Sequence, residues 1–388
     1  MAKSNREHEG FQITVSLSEA EPMIQQCFDQ GLPVVLAGPP AMGKTDLMRR
    51  MLTKVLPESI GVDPSSIVHT RGGVRPKIGQ ASYVEFNGNN MDPEDWVYPA
   101  FLDGGLNHQV TTSLPCSDDT WLPPKDLGHI FVGVEEIGKK PENLKYYAQL
   151  FNERALGSSY EVPTQAYFIA TTNNSDDNAG SFHMTSDFIS RVVILQIRNS
   201  AEDFLNYHRG DLHPLIVSCI KFNPEKFLFT QKDADIGEPF AGPRTIWKLN
   251  GLLNKGLDLD FKPNEALVYG MVGTGATSQL YTMYRCFINL TNLDNWIEDP
   301  ESHMDEIGEL VGFNTAGLKT QYAMVAMLMK KVERDPTIVN KVFPFLELFN
   351  NEELEVTFGH MVSVANPKAT KEPEYIRHVA KHANDFYF

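Results

Sequence analysis

Apolar residues fall into short consecutive runs in the first half of the chain and into helix-spaced sets in the second. The runs at 34–37, 83–86, 130–134, 167–171 and 192–197 are rich in Val, Ile, Phe and Tyr, and helical or loop-rich stretches separate them. A strand that is apolar at consecutive positions is covered on both faces, so this alternation predicts a parallel sheet between layers of helices. Beyond residue 197 the period changes. Segments 246–253, 280–290, 320–332 and 376–382 read as helices, and no further strong strand candidate follows. Between 92 and 127 the periodicity is weak, and prolines 93, 99, 115, 123 and 124 accompany Trp96 and Trp121. That stretch reads as an elaborated surface insertion. No internal repeat or low-complexity tract is present.

The first apolar run leads into Gly38, Pro39, Pro40, Ala41, Met42, Gly43, Lys44 and Thr45, a complete G-x4-G-K-T sequence. Glycines allow consecutive backbone N–H groups to converge on phosphate oxygens, while Lys44 adds a point charge and Thr45 a Mg²⁺ ligand. Asp46 follows, and Leu47, Met48, Met51, Leu52, Val55 and Leu56 share one helical face. Strand, glycine loop and helix in this order put the phosphates at a helix N-terminus. The expected fold is therefore α/β, a three-layer αβα P-loop NTPase core, and the expected cofactors are ATP and Mg²⁺.

The third run ends in Glu135 and Glu136, where such an enzyme needs acids opposite Lys44. Glu135 is expected in the Mg²⁺ shell and Glu136 as the group that polarises the attacking water. The fourth run delivers Thr172, Asn173 and Asn174, and Asn173 is placed to bond the lytic water or γ-phosphate. Arg191 stands just before the fifth run, where it is expected to reach a neighbouring subunit's γ-phosphate. Arg244, after Gly242 and Pro243 at a helix start, is expected to read the nucleotide from the second domain. A second glycine-rich stretch, 270–276, lacks the following Lys and reads as close helix packing. Histidines form no H-E-x-x-H or triad, so each reads as structural or exposed.

Composition narrows the functional classes. The net charge of −16, from 50 acidic and 34 basic side chains, opposes broad attraction to nucleic acid or anionic membrane. Arg71, Arg75 and Lys77 cluster beside a glycine pair and read as a solvated loop. Cysteines 27, 116, 219 and 286 lack metal or disulfide spacing and read as reduced thiols. No apolar run has the length of a membrane span, and the polar opening residues do not resemble a secretory signal. A cytoplasmic protein is expected.

Phosphate loop, acidic strand end, strand-terminal Asn, junctional Arg and second-domain Arg occur in the order that characterises AAA+ ATPases, and the chain resembles that family. The MoxR branch is the most similar. Its stretch around the second acidic motif is echoed by Glu135, Glu136 and Ile137, by Pro141, Glu142, Asn143 and Leu144, and by residues 150–157. The segment 92–95 and shorter sequences at 210–214, 222–224, 242–244 and 270–273 fit as well, whereas the last sixty or so residues match no known pattern. Glu135 for the usual Asp, and Gly138 and Lys139 where Asn and Arg are common, depart from the family pattern and touch hydrolysis rate and subunit contact. The resemblance implies an N-terminal arm at 1–19, an ATPase core at 20–199, an α-helical lid at 200–290 and a helical C-terminal extension at 291–388. It also implies a homo-oligomer in the form of a hexameric ring, Arg191 acting in trans, and remodelling of a protein client, often with a von Willebrand factor A domain partner. Two rival readings carry their own signatures. A nucleic-acid motor or loader predicts DNA- or RNA-stimulated turnover, and an ATP-binding scaffold predicts binding with turnover near zero.

Overall fold

Strands form where the sequence places its apolar runs. In the computed structural model these are β1 (Val34–Ala37), β3 (Ser82–Asn87), β6 (Ile130–Glu135), β9 (Ala166–Thr172) and β10 (Val193–Gln196), to which the two-residue β2 (Val68–His69) is added. The structure describes residues 13–70, 76–93, 97–101, 110–115, 128–156, 160–162, 165–174, 184–229, 237–311, 315–348 and 352–382. Arg71, Arg75, Trp96, Cys116 and Trp121 lie outside them. The chain divides after Ser200 into two units.

In the first unit the six strands pair in the order β10-β1-β9-β6-β3-β2, and every pairing is parallel. Alternate residues supply opposite faces. Val35, Val84, Val132, Val134, Phe168 and Ala170 pack against Leu144 and Tyr147 of a helix at Leu144–Ala148, and against Leu150, Phe151 and Phe188. Their neighbours Val34, Leu36, Tyr83, Phe131 and Ile169 pack against Ala20, Ile24 and Phe28 of α1 (Leu17–Asp29), and against Leu47 and Met48 of α2 (Lys44–Arg50). The result is the expected three-layer αβα arrangement with a parallel sheet. Ser16 starts α1 by a reciprocal cap with Glu19, and the preceding Val15 bridges to Ile197 at the sheet edge.

Helix α2 runs on through a π-helical turn, Met51–Val55, into Leu56–Ser59. Pro57 has no N–H and its ring crowds the carbonyl four residues back, and a widened turn relieves that crowding. The insertion expected to be irregular contains two antiparallel strands, β4 (Val97–Phe101) and β5 (Val110–Pro115). Prolines and weak alternation concealed them, and this pair stands outside the six-stranded sheet. A short antiparallel pair, β7 (Ala155–Leu156) and β8 (Tyr160–Glu161), precedes β9.

The second unit is helical throughout its described residues. One continuous set of buried side chains runs from Phe204 to Tyr375, with Trp296, Phe227, Phe343, Phe345 and Phe358 among the largest. Gly273 breaks the long helical segment Pro263–Ile288, with φ 76° and ψ 178°, and a Cβ there would meet the Pro239 carbonyl oxygen at 2.2 Å. Within the 270–276 stretch Gly273 alone thus answers to a close approach, made by the backbone at Pro239, whereas a Cβ on Gly270 would meet nothing within 4 Å. Among the described residues no helix is long and apolar enough to cross a membrane.

Candidate active site

The glycine loop leaves β1 at its C-terminal end and enters α2, with Gly43 at φ 92° as N-cap. Gly38 is dictated by a close approach, since a Cβ there would meet the Ile197 carbonyl oxygen at 2.6 Å. Met42 is buried, whereas Asp46 is exposed on the first turn of α2. Lys44 is only 6% exposed and folds back over its own loop. Its Nζ donates to the carbonyls of Gly38, at 2.7 Å, and Pro39, and to Asn173 Oδ1 at 3.2 Å. A buried ammonium needs such acceptors. Because β9 lies beside β1, the end of β9 brings Asn173 into the same cluster.

One strand further across the sheet, β6 ends at Glu135. Burial pushes the Glu135 carboxyl up from its ordinary value, while the Arg49 guanidinium and a hydrogen bond from the Thr45 hydroxyl pull it back. The two residues expected to ligate Mg²⁺ are therefore in contact with each other. Arg49 donates to Glu135 at 2.9 Å and holds Glu85 with two bonds, at 2.9 and 2.6 Å. Tyr83 donates its hydroxyl to Glu85, and Asn87 Nδ2 reaches Glu135 at 3.3 Å. Gly133 makes room for this array. A Cβ on it would meet Met48 Cε and the Tyr83 hydroxyl, both at 3.0 Å.

Glu136 follows with φ 52°, a left-handed conformation that an ordinary residue adopts at a cost of order 1–3 kcal/mol. The turn is held by the Glu136 N–H to Thr171 Oγ1 at 3.4 Å and the Ile137 N–H to the Thr171 carbonyl at 2.9 Å. Gly88 packs against its back, where a Cβ would lie 2.7 Å from the Glu136 carbonyl oxygen. Among the described residues the half-buried Glu136 carboxylate accepts no hydrogen bond. Such a carboxylate is available to a polar ligand.

The structure does not bring every expected site residue to this place. Arg191 precedes β10, which runs parallel to β1, so a four-residue strand, about 13 Å long, separates it from the phosphate-loop edge. It pairs instead with Asp187, four residues back, at 2.6 Å. Arg244 is exposed on the first turn of the helix Pro243–Asn254 in the second unit, where Gly242 caps by donating its N–H to Thr245 Oγ1 at 2.9 Å.

No protein-family model matches this chain, and no curated protein matches it. Solved structures do align. A candidate ATPase from Cytophaga hutchinsonii aligns at 10% identity and TM-score 0.29, over 70% of this chain and 90% of its own. NtrX from Brucella abortus in complex with ATP aligns at 14% identity and TM-score 0.29, over 81% of this chain and 69% of its own. The same protein with ADP gives 13% and 0.31, over 96% and 68%. Likeness at this level assigns no role to any residue here, and the fold rests on the sheet order and the two-faced core.

Arg49, Glu85, Asn87 and Gly88 belong to the site although their sequence context did not single them out. A signal was present. Arg49 lies one helical turn beyond Thr45, and Tyr83, Glu85 and Asn87 are the polar half of an alternating strand.

Proposed function

We propose that this chain is an ATP- and Mg²⁺-dependent AAA+ ATPase of the MoxR type, working as a hexameric ring that remodels or activates a protein client, with a von Willebrand factor A domain protein as partner. The observation that carries this reading is the convergence of Lys44, Thr45, Asn173 and Glu135 from the ends of three adjacent parallel strands. Those residues fit the groups they would hold. Lys44, now bonded to loop carbonyls and Asn173, has acceptors that phosphate oxygens replace, and the loop N–H groups at the start of α2 add donors. Thr45 and Glu135 would hold Mg²⁺, which neutralises phosphate charge when bound.

Glu136 takes the proton of the attacking water, and Asn173 orients that water or the γ-phosphate. Arg191, too far from its own loop, serves the site of the next subunit in a head-to-tail ring. Arg244 couples nucleotide state to the helical unit. We expect Lys44→Ala to lose nucleotide binding, and Glu136→Gln to keep it while turnover falls by about 10²- to 10⁴-fold. Fluorescent-nucleotide binding and phosphate release measure the two effects. Normal turnover in Glu136→Gln removes that residue from the assignment.

A scaffold that binds ATP with little hydrolysis is favoured by one observation, the ion pair through which Arg49 already neutralises Glu135. Wild-type turnover near zero with intact ATP binding selects it.

A further inference from the structure

The helix Pro373–Lys381 carries His378, and His382 caps its C-terminal end one turn later, so both point from one face. Opposite them stands Glu355, from the helix Glu352–Ala365. All three are almost fully buried, at 2%, 3% and 3% exposure for His378, His382 and Glu355. Their ligand atoms lie within 4.8 Å of one another. The Phe343 ring stacks on His378, with centroids 4.4 Å apart, and supplies an apolar wall.

His382 lies between two carboxylates. Its Nε2 is 3.3 Å from Glu355 Oε2, and its Nδ1 is 3.1 Å from Glu352 Oε1. A neutral imidazole has one ring proton, so a lone pair is left facing one of the two acids. A metal ion relieves that repulsion. Ligands about 2.0–2.1 Å from a tetrahedral ion are spaced about 3.3–3.4 Å apart, which is the separation of Nε2 and Glu355. The exposed Glu352 stands 3.1 Å from Nδ1, within reach of the position from which a carboxylate orients a metal-bound imidazole through its other nitrogen.

We propose that His378, His382 and Glu355 form a Zn²⁺ site that pins the helix Pro373–Lys381 to the helix Glu352–Ala365. Two imidazoles and one carboxylate suit a borderline-soft ion, whereas Mg²⁺ and Ca²⁺ take oxygen donors. The site is thus distinct in chemistry from the phosphate loop. Lys381 Nζ now lies 3.0 Å from Glu355 Oε2 and cedes that oxygen to the ion, since Glu347, at 3.5 Å, already offers it a second partner.

Chelator-treated full-length chain, dialysed against Zn²⁺ and analysed by elemental mass spectrometry, is expected to retain one ion per chain. His382→Gln and Glu355→Gln are expected to abolish retention, and Glu352→Gln to weaken it about ten- to hundredfold. Co²⁺ loaded into the wild type is expected to give the intense visible bands of a four-coordinate site, a readout independent of whether the variants fold. Failure of folded wild-type protein to retain Zn²⁺, equal retention by folded His382→Gln, or a weak six-coordinate Co²⁺ spectrum overturns the proposal.

Discussion

The α/β unit gathers Lys44, Asn173 and Glu135 at the ends of its strands, whereas the helical unit joins His378, His382 and Glu355 between two helices. The difference follows from how each unit divides its core. A sheet splits the first core into two faces, and the strands that separate them stop in sequence at Ala37, Glu135 and Thr172. The polar residues just beyond each stop fall side by side because neighbouring strands are parallel and in register. The second unit has one undivided core, in which a buried charge needs its partner from another helix. Rim groups can exchange ligands with solvent, and enclosed ones can only hold a constituent part.

The largest effect that sharpens this contrast is expected from Trp296→Ala. Trp296 is fully buried in the undivided core and donates Nε1 to Glu306 at 3.1 Å, and its truncation is expected to cost about 3–5 kcal/mol. Hydrogen exchange should then lose protection across 201–382 and keep it in β1, β6 and β9. Equal loss in those strands would show that the two cores stand or fall together.

Gly133→Val tests the rim from beneath. Added methyl groups meet Met48 and Tyr83, so about 1–3 kcal/mol of stability should be lost, with turnover falling as the Tyr83, Glu85 and Arg49 array shifts. An unchanged denaturation midpoint would mean that Met48 yields freely.

Arg49→Met is the gentlest change and reads out in pH. Burial raises the Glu135 carboxyl and Arg49 lowers it, so removing Arg49 raises it further. A higher pKa means protonation at higher pH, and the acid limb of the ATPase profile should move upward in pH. A limb that stays in place would assign it to another group.

Five of the six strands of the parallel sheet and the phosphate loop were legible in the sequence because consecutive apolar residues and glycine spacing are local signals. The two-residue β2 has no such period, and the prolines of β4 and β5 imitate a loop. Asn87 stands beside Glu135 only through the pairing of β3 with β6, a register that no local pattern encodes. The left-handed turn at Glu136 was equally hidden, because the residue type that eases such a conformation, glycine, is absent there. The histidines read as ordinary because Glu355 comes from a different helix, and only tertiary packing joins the three.

Gly38 has a mechanical consequence. The Ile197 N–H bonds the Ala37 carbonyl at 2.7 Å, its own carbonyl rests on Gly38, and the Arg198 N–H bonds Val15 at 2.8 Å. The first helix of the second unit begins at Ala201. The last residues of the first unit are thus built into the wall of the phosphate loop, so a substitution at Ile197 is felt at Gly38 before it is felt anywhere else.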